Sequence, residues 1–260
     1  MTDIKRNILI TGASSGIGSA IALRLATADA RLILLARDQL KLEVIAKECN
    51  QAHAQTEIIT HPADVTATAD IQNLIENIDA EFPIDLIICN AGVTNSVGKK
   101  GEAESWDEIT AIIDTNLYGV LACLNPLISR MQQRKQGQIA IVSSLTAFYG
   151  MPVTPIYSAS KSALKGYGES LRGWLKYDGI KVNMVYPGFV KTDLSDQLRT
   201  GKPFMMNPEK AADIIVKGLE KNKPTISFPF PLYFGLKLLN ILPSRMADFF
   251  MGVLFGAKKR

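Results

Sequence analysis

Short apolar runs recur along this chain, separated by longer stretches whose apolar residues fall at helical spacing. The runs are Asn7 to Thr11 (N-I-L-I-T), Arg31 to Ala36 (R-L-I-L-L-A), Glu57 to Thr60, Asp85 to Cys89, Gln138 to Ser143, Lys181 to Tyr186 and Thr225 to Phe228. They lack the polar alternation of a sheet with one wet face, so they read as strands buried on both sides. Helices are predicted over Ser19 to Ala28, from an Asp38 cap to about His53, over residues 104 to about 133, over Ile156 to Tyr177 and over Pro208 to Lys221. Strand alternating with helix predicts the α/β class: a single doubly wound domain of Rossmann type, with a parallel seven-stranded sheet flanked by helices.

In such sheets ligands sit beyond the carboxyl ends of the strands. Those ends carry Gly12, Arg37, Asp64, Asn90, Ser144 and Pro187. A length of 260 residues suits one domain, read as a catalytic unit over 1–229 with residues 230–260 as an extension of it. Composition is ordinary for a globular protein, 47% hydrophobic and 21% charged, with no low-complexity block. Cys49, Cys89 and Cys123 are odd in number and show no metal-ligand spacing, so a reduced, metal-free protein is expected. The amino terminus enters a strand with no apolar signal region, which predicts a cytoplasmic location.

The turn after the first strand reads T-G-A-S-S-G-I-G, Thr11 to Gly18, with glycines at 12, 16 and 18. Glycine there permits a tight turn and close backbone approach, and the following helix amino terminus offers unpaired N–H groups to a pyrophosphate. The end of the second strand then selects the cofactor. An acidic residue would bind a ribose 2′-hydroxyl, whereas the arginine found at 37 accommodates a 2′-phosphate, so NADP(H) is predicted. Ser14 or Ser15 can add a hydroxyl contact.

Candidate chemistry concentrates between Ser144 and Lys161. Three Tyr-x-x-x-Lys pairs occur, at Tyr157/Lys161, Tyr177/Lys181 and Tyr233/Lys237. Only Tyr157 follows a serine at a strand end, and only there do tyrosine and lysine share a helix face beside the predicted ligand edge. A phenol of ordinary pKa near ~10 needs help to work as an acid and base at neutral pH. Lys161, together with the positive charge of an oxidised nicotinamide, is expected to lower it. Ser144 is expected to hydrogen-bond the substrate oxygen.

Taken in order, these motifs resemble the classical short-chain dehydrogenase/reductase family from about residue 7 to 192. Thr11 to Gly18 is similar to the family's glycine motif, including Ile17. Asp64-Val65 is similar to its adenine-contacting pair, and C-N-A-G (Cys89, Asn90, Ala91, Gly92) to its N-N-A-G. The resemblance places a catalytic tetrad at Asn116, Ser144, Tyr157 and Lys161, with Asn116 positioning a relay water and Lys161 also holding the nicotinamide ribose. It places the nicotinamide beside P-G-F-V-K-T, hence beside Pro187, Gly188, Val190 and Thr192, and implies a mobile lid over Thr192 to Met206. The sequence also admits a second class, a non-catalytic NADP-binding regulatory or scaffold protein, but the intact Ser-Tyr-Lys set favours an oxidoreductase.

Residues between Ser144 and Tyr157, with Val93, Phe189, Phe204, Met205 and Met206, are mostly apolar, so a small hydrophobic alcohol or ketone is the expected substrate, lipid-like or steroid-like. From Pro224 the chain turns apolar and basic. Residues 232–260 hold Lys237, Arg245, Lys258, Lys259 and Arg260 against Asp248 alone, which accounts for the whole net charge of +4. With the excess confined there, no nucleic-acid partner is expected. The tail reads as two short amphipathic helices broken at Pro243, suited either to peripheral contact with the inner face of a membrane or to a partner subunit. A homodimer or homotetramer is the expected assembly.

Overall fold

The apolar runs pair as parallel strands because each has an apolar side chain for both faces of a sheet. The computed structural model describes residues 6–97 and 102–255. Its strands are β1 (Arg6–Thr11), β2 (Ala30–Ala36), β3 (Glu57–Pro62), β4 (Leu86–Cys89), β5 (Gly137–Val142), β6 (Ile180–Pro187) and β7 (Thr225–Phe228). They form one sheet in the order β3-β2-β1-β4-β5-β6-β7, every neighbour parallel. Alternate residues point to opposite layers. Leu9, Ile33, Ile87 and Ile139 join one core, while Ile8, Ile10, Leu32 and Ile88 join the other. The strand order reverses between β1 and β4, which opens a crevice at their carboxyl ends.

The helices are α1 (Gly16–Leu25), α2 (Gln39–Ala52), α3 (Thr68–Glu81), α4 (Trp106–Ile113), α5 (Gly119–Arg134), α6 (Pro155–Leu175), α7 (Asp193–Asp196), α8 (Pro208–Glu220), α9 (Phe230–Leu239) and α10 (Ser244–Phe255). The first one begins at Gly16, three residues before the expected Ser19, because the glycine turn leads straight into it. Asp38 caps α2 as expected, its Oδ1 accepting from the Lys41 N–H at 3.0 Å. The α3 helix is an addition to the elements expected; its core stripe is Ile71, Ile75 and Ile78. The helix expected over 104 to 133 is two helices joined by a π-helical turn, Asp114–Tyr118. Trp106–Arg134 is long and apolar enough by length and composition to cross a membrane, but 56% of its most apolar window is buried inside the protein.

The tail does form two helices on either side of Pro243. Leu236 of α9 and Met251 and Phe255 of α10 are 6%, 2% and 3% exposed and belong to the same core as the β5 and β6 side chains. Lys258, Lys259 and Arg260, which carry most of the tail's charge, lie outside the described residues.

Candidate active site

One cavity of about 560 Å³ opens at the carboxyl ends of the strands. Every residue expected to bind cofactor or act on substrate lines it except Gly18 and Asn116. Gly18 is turned under the loop instead. A Cβ there would collide with the Gly12 carbonyl oxygen and stand 2.6 Å from Asn90 Nδ2, so the helix can pack this closely against the turn only with glycine. Gly12, at φ 65°, would bring a Cβ within 2.8 Å of Ala91 Cα. The same turn is clasped from β4: Asn90 Nδ2 donates to the Gly12 carbonyl at 3.1 Å, and the Asn90 and Ala91 N–H groups both donate to Thr11 Oγ1 at 3.1 Å. Asn90 therefore shapes the turn with its side chain. The Ser15 side chain makes no capping bond, so the first N–H groups of α1, whose residues Gly16 and Ile17 line the cavity, have no side-chain cap. A close-approach cradle with unpaired donors fits the pyrophosphate of a dinucleotide.

The far end of the cleft holds Arg37 and, unforeseen from the sequence, Lys41. The Asp38 carboxylate between them is occupied with capping and lies 3.8 Å from Lys41 Nζ. Arg37 is exposed and forms no ion pair among the described residues. Asp64 turns its carboxylate to Thr66, accepting from the backbone N–H at 2.9 Å and the hydroxyl at 2.8 Å. It lines the cavity beside Val65, whose side chain packs against Gly119.

At the near end Ser144, Tyr157 and Lys161 come together. Ser144 follows β5 and accepts from the Thr146 N–H at 3.2 Å. Pro155 starts α6 without costing a hydrogen bond and sets Tyr157 and Lys161 one turn apart. The Lys161 ammonium is 4% exposed, donates to the Val142 carbonyl at 3.1 Å and stands 5.7 Å from the Tyr157 ring centre. Burial pushes the Tyr157 phenol up to about 12, opposed by a hydrogen bond with Ser144. Burial pushes Lys161 down to about 8. Among the protein's own groups burial dominates the Tyr157 phenol; the lowering expected from Lys161 rests jointly on the positive charge of an oxidised nicotinamide.

Asn116 sits in the π-turn and is fully buried. Its Oδ1 accepts from the Val93 N–H at 2.8 Å, and its Nδ2 donates to the Val93 carbonyl at 2.9 Å and to Ser160 Oγ at 3.2 Å. Both ends of the amide are thus used to hold Val93 against α6, and Val93 is what reaches the cavity.

The apolar wall is only partly as expected. Val93 and Phe189 line it, whereas Phe204 and Met205 are 60% and 42% exposed and Met206 turns to the opposite core. Their places are taken by Leu232 and Leu236 of α9 and Met251 and Phe255 of α10. No periodicity distinguishes these from their exposed neighbours, because both sides of each tail helix are apolar. Thr146, which no sequence motif marks, lines the cavity with a buried hydroxyl that has no partner among the described residues. The expected lid segment returns to its start, Met206 N–H donating to the Phe189 carbonyl at 2.9 Å, and turns Leu194 and Leu198 to the cavity.

Residues 6–203 match the family model for short chain dehydrogenases. An uncharacterized oxidoreductase of Myxococcus xanthus is 35% identical over 244 residues, 94% of this chain and 95% of that protein. An 11-beta-hydroxysteroid dehydrogenase-like protein of Arabidopsis thaliana is 30% identical over 254 residues, 95% of this chain and 81% of that protein. A short-chain dehydrogenase from Sphingobium yanoikuyae, solved with NADPH, has the same fold, with a TM-score of 0.81 over 98% of each chain at 24% identity.

Proposed function

The chain belongs to the short-chain dehydrogenase family, and from that premise we propose an NADP(H)-dependent oxidoreductase interconverting a hydrophobic alcohol and its ketone, steroid-like or otherwise lipid-like. One observation carries the reading: a single cavity has Ser144, Tyr157 and Lys161 at one end and two cations, Arg37 and Lys41, at the other. A dinucleotide lying along this cavity would bring its reacting ring to the first group and its adenosine 2′-phosphate to the second. The apolar wall from α9 and α10 supports a substrate with little polarity, as does similarity to a hydroxysteroid dehydrogenase-like protein.

When bound, the nicotinamide supplies or takes the hydride. The chain's own residues manage the substrate oxygen. The Ser144 hydroxyl donates to it and stabilises negative charge as that develops. Tyr157, with its pKa raised to about 12, is protonated at neutral pH and hands its proton to the oxygen, the role that ketone reduction requires. Lys161, as an ammonium one helical turn away, stabilises the phenolate left behind. Asn116 acts as a positioning residue through Val93. Gly12, Gly16 and the amino terminus of α1 receive the pyrophosphate, while Asn90 holds that turn in shape. The assembly proposed is a homodimer or homotetramer, supported by the exposed aromatic rings of Trp106, Tyr118 and Trp174 away from the tail.

NADPH oxidation measured against a panel of apolar ketones, with NADH in parallel, tests the reading. Turnover with NADPH and loss of it in Tyr157→Phe are expected. NADPH binding without turnover of any ketone or alcohol would leave the non-catalytic class standing.

A further inference from the structure

The tail helices have a second apolar face, on the side away from the cavity they line. Nine of the seventeen large apolar side chains exposed among the described residues lie between Phe230 and Leu254, so the exposure is concentrated in one segment. Phe230, Phe234 and Leu238 repeat every four residues on α9, the two rings stacked at 6.0 Å. Met246, Phe249 and Val253 form the matching stripe on α10, and Ile241, 80% exposed, lies in the turn between. Beside the end of α10 runs the loop of Phe204 and Met205, tied to it by Thr200 Oγ1 donating to the Phe255 carbonyl at 3.1 Å. Phe204 is held out at φ 56°, a backbone conformation unfavourable for a bulky residue. Concentrated exposure of this kind marks an interaction surface.

The charges around it indicate what covers it. The tail's one acid, Asp248, accepts a hydrogen bond from Tyr149 Oη at 2.8 Å and is thereby committed to the cavity loop. Lys237 and Arg245 are exposed on these helices with no ion pair among the described residues, the Lys237 ammonium standing over the Tyr233 ring at 5.1 Å, and Lys258, Lys259 and Arg260 follow shortly after Phe255 in the sequence. Apolar rings bordered by uncompensated cations complement a surface that is hydrocarbon within and anionic at its boundary. A second copy of this chain would bring one net-positive face against another. We propose that the outer faces of α9 and α10 dock on an anionic lipid bilayer. A docked molecule keeps its substrate cavity about one helix diameter, ~10 Å, from the lipid.

The full chain is tested by flotation with vesicles of phosphatidylcholine alone or mixed with phosphatidylglycerol. The protein is expected to float with the mixed vesicles, roughly tenfold more than with the neutral ones, and to be released as salt screens the charges. Phe234→Asp combined with Phe249→Asp is expected to abolish flotation with circular dichroism and melting temperature unchanged, since both rings are already exposed. Lys237→Glu with Arg245→Glu is expected to remove only the preference for anionic vesicles. A parent protein that stays at the bottom of the gradient, or a double-aspartate variant that floats as well as the parent, overturns the proposal. So does a parent that fails to float but sediments as a dimer that the same variant converts to monomer, which would make the face a subunit contact. Flotation needs no turnover, so its outcome is independent of the reaction proposed above.

Discussion

Burial acts on Tyr157 and Lys161 in opposite senses, because the phenol becomes charged on losing a proton and the amine on gaining one. The phenol rises to about 12 and the amine falls to about 8. Through the neutral range the site is thus a phenol beside an ammonium. As pH rises through 8 the ammonium is lost while the phenol stays protonated. The kcat/KM for ketone reduction is therefore expected to be flat below about 8 and to fall above it, as read from a pH profile; a fall centred near the ~6.5 of an ordinary histidine would show that another group controls the step. In Tyr157→Phe, turnover is expected to drop by at least ~100-fold with NADPH affinity within a few-fold of the parent, because the ring's shape and packing are kept while the proton is lost. At the other end of the cleft, Arg37→Ala is expected to weaken NADPH by about 10- to 100-fold and leave NADH nearly unchanged. That is the size of a lost charge-assisted hydrogen bond, and fluorescence titration of the two cofactors measures it.

At the scale of elements, the two-residue offset between Gly16 and Gly18 governs how α1 meets β1. A methyl group at 18 has nowhere to go, since its neighbours are the Gly12 carbonyl and the Asn90 amide, so Gly18→Ala is expected to cost about 3 kcal/mol or more. Gly166 lies on an exposed face of α6, where an added methyl group would meet nothing within 4 Å beyond its chain neighbours and its own helix backbone, so Gly166→Ala is expected to gain about 0.5–1 kcal/mol. Urea denaturation of the two variants should move the midpoint in opposite directions. The same contrast explains what is legible in the sequence. Strands buried on both faces announce themselves as apolar runs, and the residues at their carboxyl ends fall into place once the runs are found. The α3 helix carries its Ile71, Ile75, Ile78 stripe openly but has Ala67 at its cap position, with no side-chain hydrogen bond to mark the start. The π-turn leaves no signal, because a single extra residue in a helix disturbs the apolar period by less than the side chains vary. Motif order places Asn116 in the catalytic set as the residue positioning a relay water, and the π-turn adds what the motif does not show, that its side-chain amide is committed to Val93.

For the whole molecule, the question the sequence leaves is whether residues 230–260 are an appendage. Apolar residues fill both sides of the tail helices, and hydropathy alone cannot divide a face that packs from a face that docks. Packing divides them. Leu236, Met251 and Phe255 are nearly inaccessible and share a core with Tyr186 and Phe189, with Phe255 and Phe189 rings 6.2 Å apart. Asn240 Nδ2 adds a hydrogen bond to the Phe148 carbonyl at 2.8 Å, and Tyr149 another to Asp248. Burying three large apolar side chains is worth roughly 5–9 kcal/mol, a large part of the ~5–15 kcal/mol that holds a domain folded. The tail should therefore unfold with the sheet and not before it. Calorimetry of the full chain is expected to show one transition whose calorimetric and van't Hoff enthalpies agree, and a chain ending at Pro229 is expected to melt many degrees lower, having lost both this burial and a wall of its cavity. A separate early transition in the full chain, absent from the shortened one, would instead make the tail an independent unit and remove the reason for its inner face to define the substrate site.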